Sequence, residues 1–338
     1  MDKLSIIVPF VNEYPQNIFT LQALAQECAP LGDRFEILAV DNFCAQVSDQ
    51  REKALGGIAT ELKLPPDHVR AVLDKWEQPF NPDKGGDAVK AADRLNPWLK
   101  YVRYGDKLSH WNAKNYAVSK STGDVLLFVD AHVIPSHGSI VSMFHFYSNN
   151  RKALNGSLHL PLTYKILESH RLIYKLVYKP ETGEVHYTFT TFRPSDTSYE
   201  VPCMSNCGMM MSREVYDMLG GWPSELGIYG GGEDFSNFCL SVLGMKKWIW
   251  PHGTLFHHGE KRGYHYLYDD YVRNKMIATY CFGGKELLDV FADHAKGTPK
   301  VLQEIKNDAI VKCKGHRELI LSRQKVDIHE WAKRWAAP

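Results

Sequence analysis

Long apolar runs are missing from this sequence. No stretch approaches the ~18–20 consecutive apolar residues of a membrane-spanning helix. The opening "MDKLSIIVPF" enters a β-branched run without the charged, apolar and cleavage regions of a secretory leader. The expectation is a soluble cytoplasmic protein with no membrane span. Charge of one sign is missing too: 40 Lys and Arg stand against 39 Asp and Glu, a formal +1. Bulk electrostatics therefore gives no reason to expect a nucleic-acid or membrane partner. The one local bias is residues 300–338, with nine Lys/Arg against five Asp/Glu, which reads as the solvated faces of terminal helices. Paired zinc-type cysteines are absent as well. The seven cysteines (Cys28, Cys44, Cys203, Cys207, Cys239, Cys281 and Cys313) contain no C-x-x-C, and only Cys203 and Cys207 lie close together. They read as free buried thiols in a reducing compartment. Internal repeats and low-complexity segments are also lacking.

What is present is a core. Apolar residues make up 44% and aromatics 12% of 338 residues, enough for one large α/β domain or a domain with an appendage. "LSIIVPF" (4–10) has the profile of a strand buried on both faces. A helical pattern follows in "PQNIFTLQALAQECA", then a second strand, "FEILAV" (35–40), ended by Asp41-Asn42. This βαβ opening argues for a mostly parallel sheet with right-handed crossovers. Residues 45–98 are polar with helical patches and read as a helical insertion. "LKYVRY" (99–104) resumes the strands, and 109–121 reads as a helix with Ser109 as its cap. "DVLLFVD" (124–130) is a strand that delivers Asp130 to its end. A helix is expected at 138–148. "LIYKLVYKPETGEVHYTFTTF" (172–192) has hairpin alternation about Pro-Glu-Thr-Gly. "NCGMMMS" reads as a strand, "REVYDMLGGW" as a short helix closed by glycines, and "GGEDFSNFCLSVLG" as an amphipathic helix. "KKWIWPHGTLFHHG" is strand-rich, and helices predominate from 264 onward.

Ligands of open parallel sheets bind outside the carboxyl ends of the strands. Four polar clusters fall at such ends: Asn12-Glu13, Asp41-Asn42, Asp130-Ala131-His132 and His257-His258. A fifth, Glu233-Asp234, starts a helix after three glycines. Each alone reads as a turn, a solvated loop or a helix-dipole partner. Together they suit group transfer from a nucleotide diphosphate, whose departing charge a divalent cation neutralises as a Lewis acid. Asp-x-His plus a later histidine offers one carboxylate and two imidazoles, a set that favours Mn²⁺ over Mg²⁺.

The blocks "SIIVPFVNE", "FEILAVDN", "AKNYAVSKSTGDVLLFVDAH", "NCGMMMSREVYDMLGGW", "GGGEDFSNFCLSVLG" and "WPHGTLFHHG" occur in the order seen in GT-A fold glycosyltransferases. They resemble family 2 enzymes and, in particular, the catalytic domains of polypeptide N-acetylgalactosaminyltransferases. The resemblance runs in blocks over about 4–280, with 45–98 and 150–198 outside it. It implies a Rossmann-like nucleotide-sugar-binding α/β domain over 1–280, with insertions at about 45–98 and 150–198, and a helical C-terminal extension over 281–338. By the same resemblance Asp130, His132 and His257 hold Mn²⁺ (or Mg²⁺), with His258 as the substitute for His257. Pro9, Phe10, Asn12 and Glu13 line the nucleotide pocket, and Asp41 contacts uracil or ribose. Lys114 and Asn115 approach the donor, and Gly231, Gly232, Glu233 and Asp234 face the sugar and acceptor. The sequence departs from the family at Gly230, where the family has tryptophan, and at Asp234, where it has asparagine. The metal set is that of retaining relatives, while Glu-Asp is the pair of inverting family 2 enzymes, so the stereochemical course is left open.

The expected activity is transfer of a sugar from a UDP-sugar, or another nucleotide-diphosphate sugar, to an acceptor hydroxyl. Glu233 or Asp234 serves as base. The acceptor is left open among a glycan or lipid-linked sugar, a small metabolite, a protein side chain and a hydroxylated DNA base. Tail basicity with Trp331 and Trp335 fits DNA, and plain helices explain it equally well. Trp222 is a candidate to pack under the acceptor, Trp248 and Trp250 read as core, and Lys261 and Arg262 are candidates to clamp phosphate. A nucleotidyltransferase is the alternative enzyme, but "VPFVNEYPQ" lacks the glycine-rich basic loop it needs. A non-catalytic nucleotide-sugar-binding module is the other alternative, and it has no need of the acidic pair.

Overall fold

The computed structural model describes residues 1–11, 13–76, 82–165, 170–182, 184–258 and 266–336. Asn12, Lys261 and Arg262, all considered above, lie outside the described residues. The strands are β1 (Leu4–Phe10), β2 (Phe35–Asp41), β3 (Leu99–Arg103), β4 (Val125–Phe128), β5 (Val133–Pro135), β6 (Gly156–His159), β7 (Leu162–Thr163), β8 (Leu172–Lys179), β9 (Glu184–Thr191), β10 (Tyr199–Val201), β11 (Met209–Ser212), β12 (Lys246–Ile249) and β13 (Leu255–His257). The helices are α1 (Gln16–Cys28), α2 (Ala45–Leu62), α3 (Pro66–Trp76), α4 (Pro82–Asp93), α5 (His110–Lys120), α6 (Ser139–Leu154), α7 (Arg213–Leu219), α8 (Gly232–Val242), α9 (Tyr268–His294), α10 (Pro299–Lys312), α11 (Lys314–Arg323) and α12 (Ile328–Ala336).

The main sheet has the order β10-β12-β6-β11-β4-β1-β2-β3. Strands β3, β2, β1, β4, β6 and β12 run one way; only β11 and β10 oppose them. This is the mostly parallel α/β sheet expected from the βαβ opening. All seven residues of β1 are buried, as a central parallel strand covered on both faces requires. The pleat sends Ile7, Leu126, Phe128, Met209 and Met211 into one core and Ile6, Val8, Leu127 and Met210 into the other. Helices α1 and α6 cover the second face. Helices α5, α8 and α9 cover the first, joined by Ile305, Ile320, Ile328 and Trp331 of the C-terminal segment.

Helix α9 runs through residue 280 and kinks at Gly284, so the expected boundary at 280/281 falls inside a helix. The terminal tryptophans contribute to this core. Trp331 is buried against Phe238, with Lys247 over its ring, and Trp335 packs on the same core. Trp331 therefore has no free face for stacking a base. All seven cysteines are free and buried. Among the described residues no helix is long and apolar enough to cross a membrane.

A second sheet, β5-β13-β7-β8-β9, stands across the carboxyl edge of the first. It contains the expected hairpin, β8 paired with β9 from Leu172–Thr191 to Lys179–Glu184.

Candidate metal and nucleotide-sugar site

Because β1, β2 and β4 are parallel neighbours, their carboxyl ends open on one edge. The loop after β4 carries Asp130 and His132 there. His257 reaches that edge from the second sheet rather than from a strand of the main one. β13 pairs antiparallel with β5, placing His257 opposite Val133, and the His258 N–H donates to the His132 carbonyl at 2.9 Å. The imidazoles of His132 and His257 meet edge to face, centroids 4.6 Å apart. His257 Nε2 is 3.2 Å from Asp130 Oδ2. One potential ligand atom from each of Asp130, His132 and His257 lies within 4.8 Å of the others. Glu13 Oε1 is 2.8 Å from His132 Nδ1, and Glu13 Oε2 accepts from the Val11 N–H at 3.1 Å. Holding Nδ1 in this way directs coordination to Nε2, a common arrangement behind metal-binding histidines. One carboxylate and two imidazoles within this reach fit a divalent ion, and the imidazoles favour Mn²⁺ over Mg²⁺.

The cationic side of the site comes from α5. Its cap is the expected one: Ser109 Oγ accepts the Asn112 N–H at 3.2 Å. His110 and Lys114, one turn apart, place His110 Nε2 3.5 Å and Lys114 Nζ 3.9 Å from Asp130 Oδ1. Burial pushes the Asp130 carboxyl up. The His257 hydrogen bond and the charges of Lys114 and His110 outweigh it and hold the group well below the usual range. Lys114 is fully buried, with Nζ 4.9 Å from the Trp111 ring centre and no hydrogen-bond partner. Burial lowers its pKa. A buried ammonium whose carboxylate partner stands at 3.9 Å and which makes no hydrogen bond is costly, and an anionic ligand would supply that bond.

The glycines before α8 give the third wall. Gly231 has φ +72°, and a Cβ there would meet the Asn274 carbonyl; a Cβ on Gly232 would enter the Trp111 ring. The tight approach places Glu233 where Tyr187 Oη donates to it at 2.5 Å, Ser205 Oγ at 3.0 Å and the Asn206 N–H at 2.9 Å. Burial raises the Glu233 pKa despite these donors. Asp234 turns away: its Oδ1 accepts from Lys275 Nζ at 2.7 Å.

A cleft of about 650 Å³ joins these groups and is lined by Pro9, Phe10 and Val11 as well as by Glu233 and Gly231. Tyr164, Tyr174, Tyr187 and Phe189 of the second sheet wall it; Tyr174 and Tyr187 stack at 4.5 Å. Other expected site residues have structural partners. Asp41 is buried and accepts from Tyr101 Oη at 2.6 Å and the Phe43 N–H at 2.9 Å. Asn115 accepts from Tyr216 Oη and the Trp222 N–H and donates to the Trp222 carbonyl. Trp222 is buried among Trp111, Phe128 and Tyr216, which removes it from the surface on which an acceptor would lie. Trp250 is core as expected, and Trp248 packs partly buried against the same cluster.

The sequence reading missed His110, Tyr187, Ser205 and Lys275. For His110 a signal existed, its one-turn spacing from Lys114 on the helix just ahead of the Asp130 strand.

Comparison with solved structures assigns the fold to the GT-A class of glycosyltransferases. The likeness that carries this is to the crystal structure of GalNAc-T7 with UDP, GalNAc and Mn²⁺. It has a TM-score of 0.57 at 15% identity and covers 92% of this chain and 58% of that one. TarS 1–349 of S. aureus with UDP-GlcNAc has TM-score 0.48 at 13% identity, covering 93% and 73% of the two chains. Mannosyltransferase PcManGT from Pyrobaculum calidifontis with GDP-Man and Mn²⁺ has 0.49 at 13%, covering 98% and 79%. No family model matches the chain, and no curated protein matches its sequence. The chain thus spans little more than half the length of the GalNAc-T7 chain.

Proposed function

We propose that this chain is a metal-dependent glycosyltransferase that moves a sugar from a UDP-sugar, or another nucleotide-diphosphate sugar, to an acceptor hydroxyl. The observation that carries the reading is the convergence of Asp130, His132 and His257 on one point at the carboxyl edge of a GT-A sheet. A divalent ion bound there would act as the Lewis acid for the departing diphosphate. Lys114, buried beside Asp130, supplies a fixed positive charge toward the phosphates, and His110 stands beside it. Phe10 and Val11 flank the nucleotide. Of the two carboxylates, Glu233 is the base, because it faces the cleft and Asp234 is spent on Lys275. In the transfer step the acceptor oxygen bonds to the anomeric carbon while the carbon–phosphate-oxygen bond breaks. The electron pair leaves with the diphosphate, and the hydroxyl proton passes to Glu233. Base assistance of this kind is worth ~10²–10⁴ in rate. We read 1–280 as the catalytic domain, with 281–338 as a helical extension that completes its core. The free thiols suit a reducing, cytoplasmic setting.

A screen of UDP- and GDP-sugars with and without Mn²⁺, read by release of nucleotide diphosphate, tests this. Mn²⁺-dependent release from at least one donor is expected. Nucleotide binding with no release from any donor would make the chain a binding module instead.

A further inference from the structure

Beside Asp234 lies a second pocket of about 350 Å³, where hairpin β8–β9 meets α9. It shares His186, Tyr271 and Lys275 with the cleft, so the two volumes meet at those side chains. Neighbouring carboxylates serve different volumes: Glu233 lines the cleft, and Asp234 lines the pocket. Asp234 is only 3% exposed. Lys275 holds its Oδ1, while its Oδ2 is buried with no hydrogen-bond partner. A buried carboxylate oxygen without a donor is unfavourable, and a ligand hydroxyl in the pocket would supply one. Thr182 and Thr279 add hydroxyls, and His294 and Lys296 bring ring nitrogen and ammonium groups. The Tyr271 ring, stacked with Tyr268 at 6.2 Å, gives an apolar face.

We propose that this pocket is the acceptor subsite and that it takes a sugar ring. Ring hydroxyls donate to Asp234 Oδ2, and the C–H face of the ring lies against Tyr271. A neighbouring hydroxyl of the same acceptor projects past Lys275 toward Glu233. The inference rests on the reading of the cleft as the donor site, since it places the acceptor on the opposite side of Glu233 from the nucleotide. It also gives Asp234 a role in recognition rather than in proton transfer. The volume suits one ring and its substituents, so a longer glycan would extend out over the hairpin.

The test uses the full chain with saturating Mn²⁺ and UDP, and a panel of methyl α- and β-pyranosides followed by saturation-transfer NMR and calorimetry. At least one glycoside is expected to bind. Thr279→Phe, which fills the pocket, should weaken that binding at least tenfold. His294→Trp, at the exposed rim, should do the same and serves if Thr279→Phe does not fold, as circular dichroism will report. Binding of no glycoside at millimolar concentration, or binding that neither substitution alters, would overturn the proposal. Release of nucleotide diphosphate from the donor is read on the wild-type chain in parallel. Its absence alongside pocket-dependent glycoside binding would sink the donor-site reading and leave the sugar pocket standing.

Discussion

Replacing Tyr187 by Phe removes one hydroxyl and leaves the ring stack on Tyr174 in place. Burial and the neighbouring Glu233 charge push the Tyr187 phenol well up, so it stays protonated and donates. Its bond to Glu233 is the shortest of the three that carboxylate accepts. A hydrogen bond to a charged group contributes about 1.5–3 kcal/mol, and every 1.4 kcal/mol is tenfold. Losing it disfavours the ionised form of Glu233, whose pKa burial already raises. The sign follows: the acid limb of the pH–rate profile moves to higher pH. Below that limb the Tyr187→Phe rate should fall roughly 10- to 100-fold under wild type. The ratio should then close toward one as pH rises and both enzymes become fully ionised. Nucleotide-diphosphate release at saturating donor and Mn²⁺, measured across the pH range, gives the answer. A ratio constant with pH would refute the argument, because it would mean that Tyr187 shapes the cleft and does not tune Glu233.

Glu13→Gln should weaken Mn²⁺ binding about 10- to 100-fold, since the group that orients His132 is lost; calorimetric titration measures it. Away from the site, Glu36 is a stability element. Burial raises its pKa, but Lys100, Ser5 Oγ and the Thr122 N–H and hydroxyl outweigh that and lower it to about 2. The folded value lies below the unfolded one of about 4.3. Its contribution of about 3 kcal/mol is therefore full above that pH and lost as pH falls toward 2. Glu36→Gln should lower the unfolding free energy at pH 7 by up to about this much. The gap should shrink in acid, which urea melts at several pH values will follow.

Local pattern carried much of the fold. β1 was bounded residue for residue, and Ser109 capped α5 as its side chain and the following helical period required. What pattern could not convey was which distant elements meet. The alternation of 172–192 shows a hairpin, but nothing in it says that Tyr187 reaches Glu233 across 46 positions. "PHGTLFHHG" shows a strand ending in histidine; the pairing of His257 with Val133, which turns its ring onto Asp130, belongs to a second sheet built from three separate stretches. Glu233 and Asp234 are equivalent in a string of letters. Only the helix rotation and Lys275, on a helix 41 residues further on, separate them. Short strands such as β5, β7 and β10 have too few residues to show a period at all.

The central claim is that Asp130, His132 and His257 hold one divalent ion. Titration of Mn²⁺ into the chain in the presence of UDP, followed by calorimetry or electron paramagnetic resonance, tests it most directly. One ion per chain is expected, with Asp130→Ala and His257→Ala each weakening it by more than ~100-fold while the fold is retained. Mn²⁺ affinity within a few-fold of wild type in both variants would contradict the account.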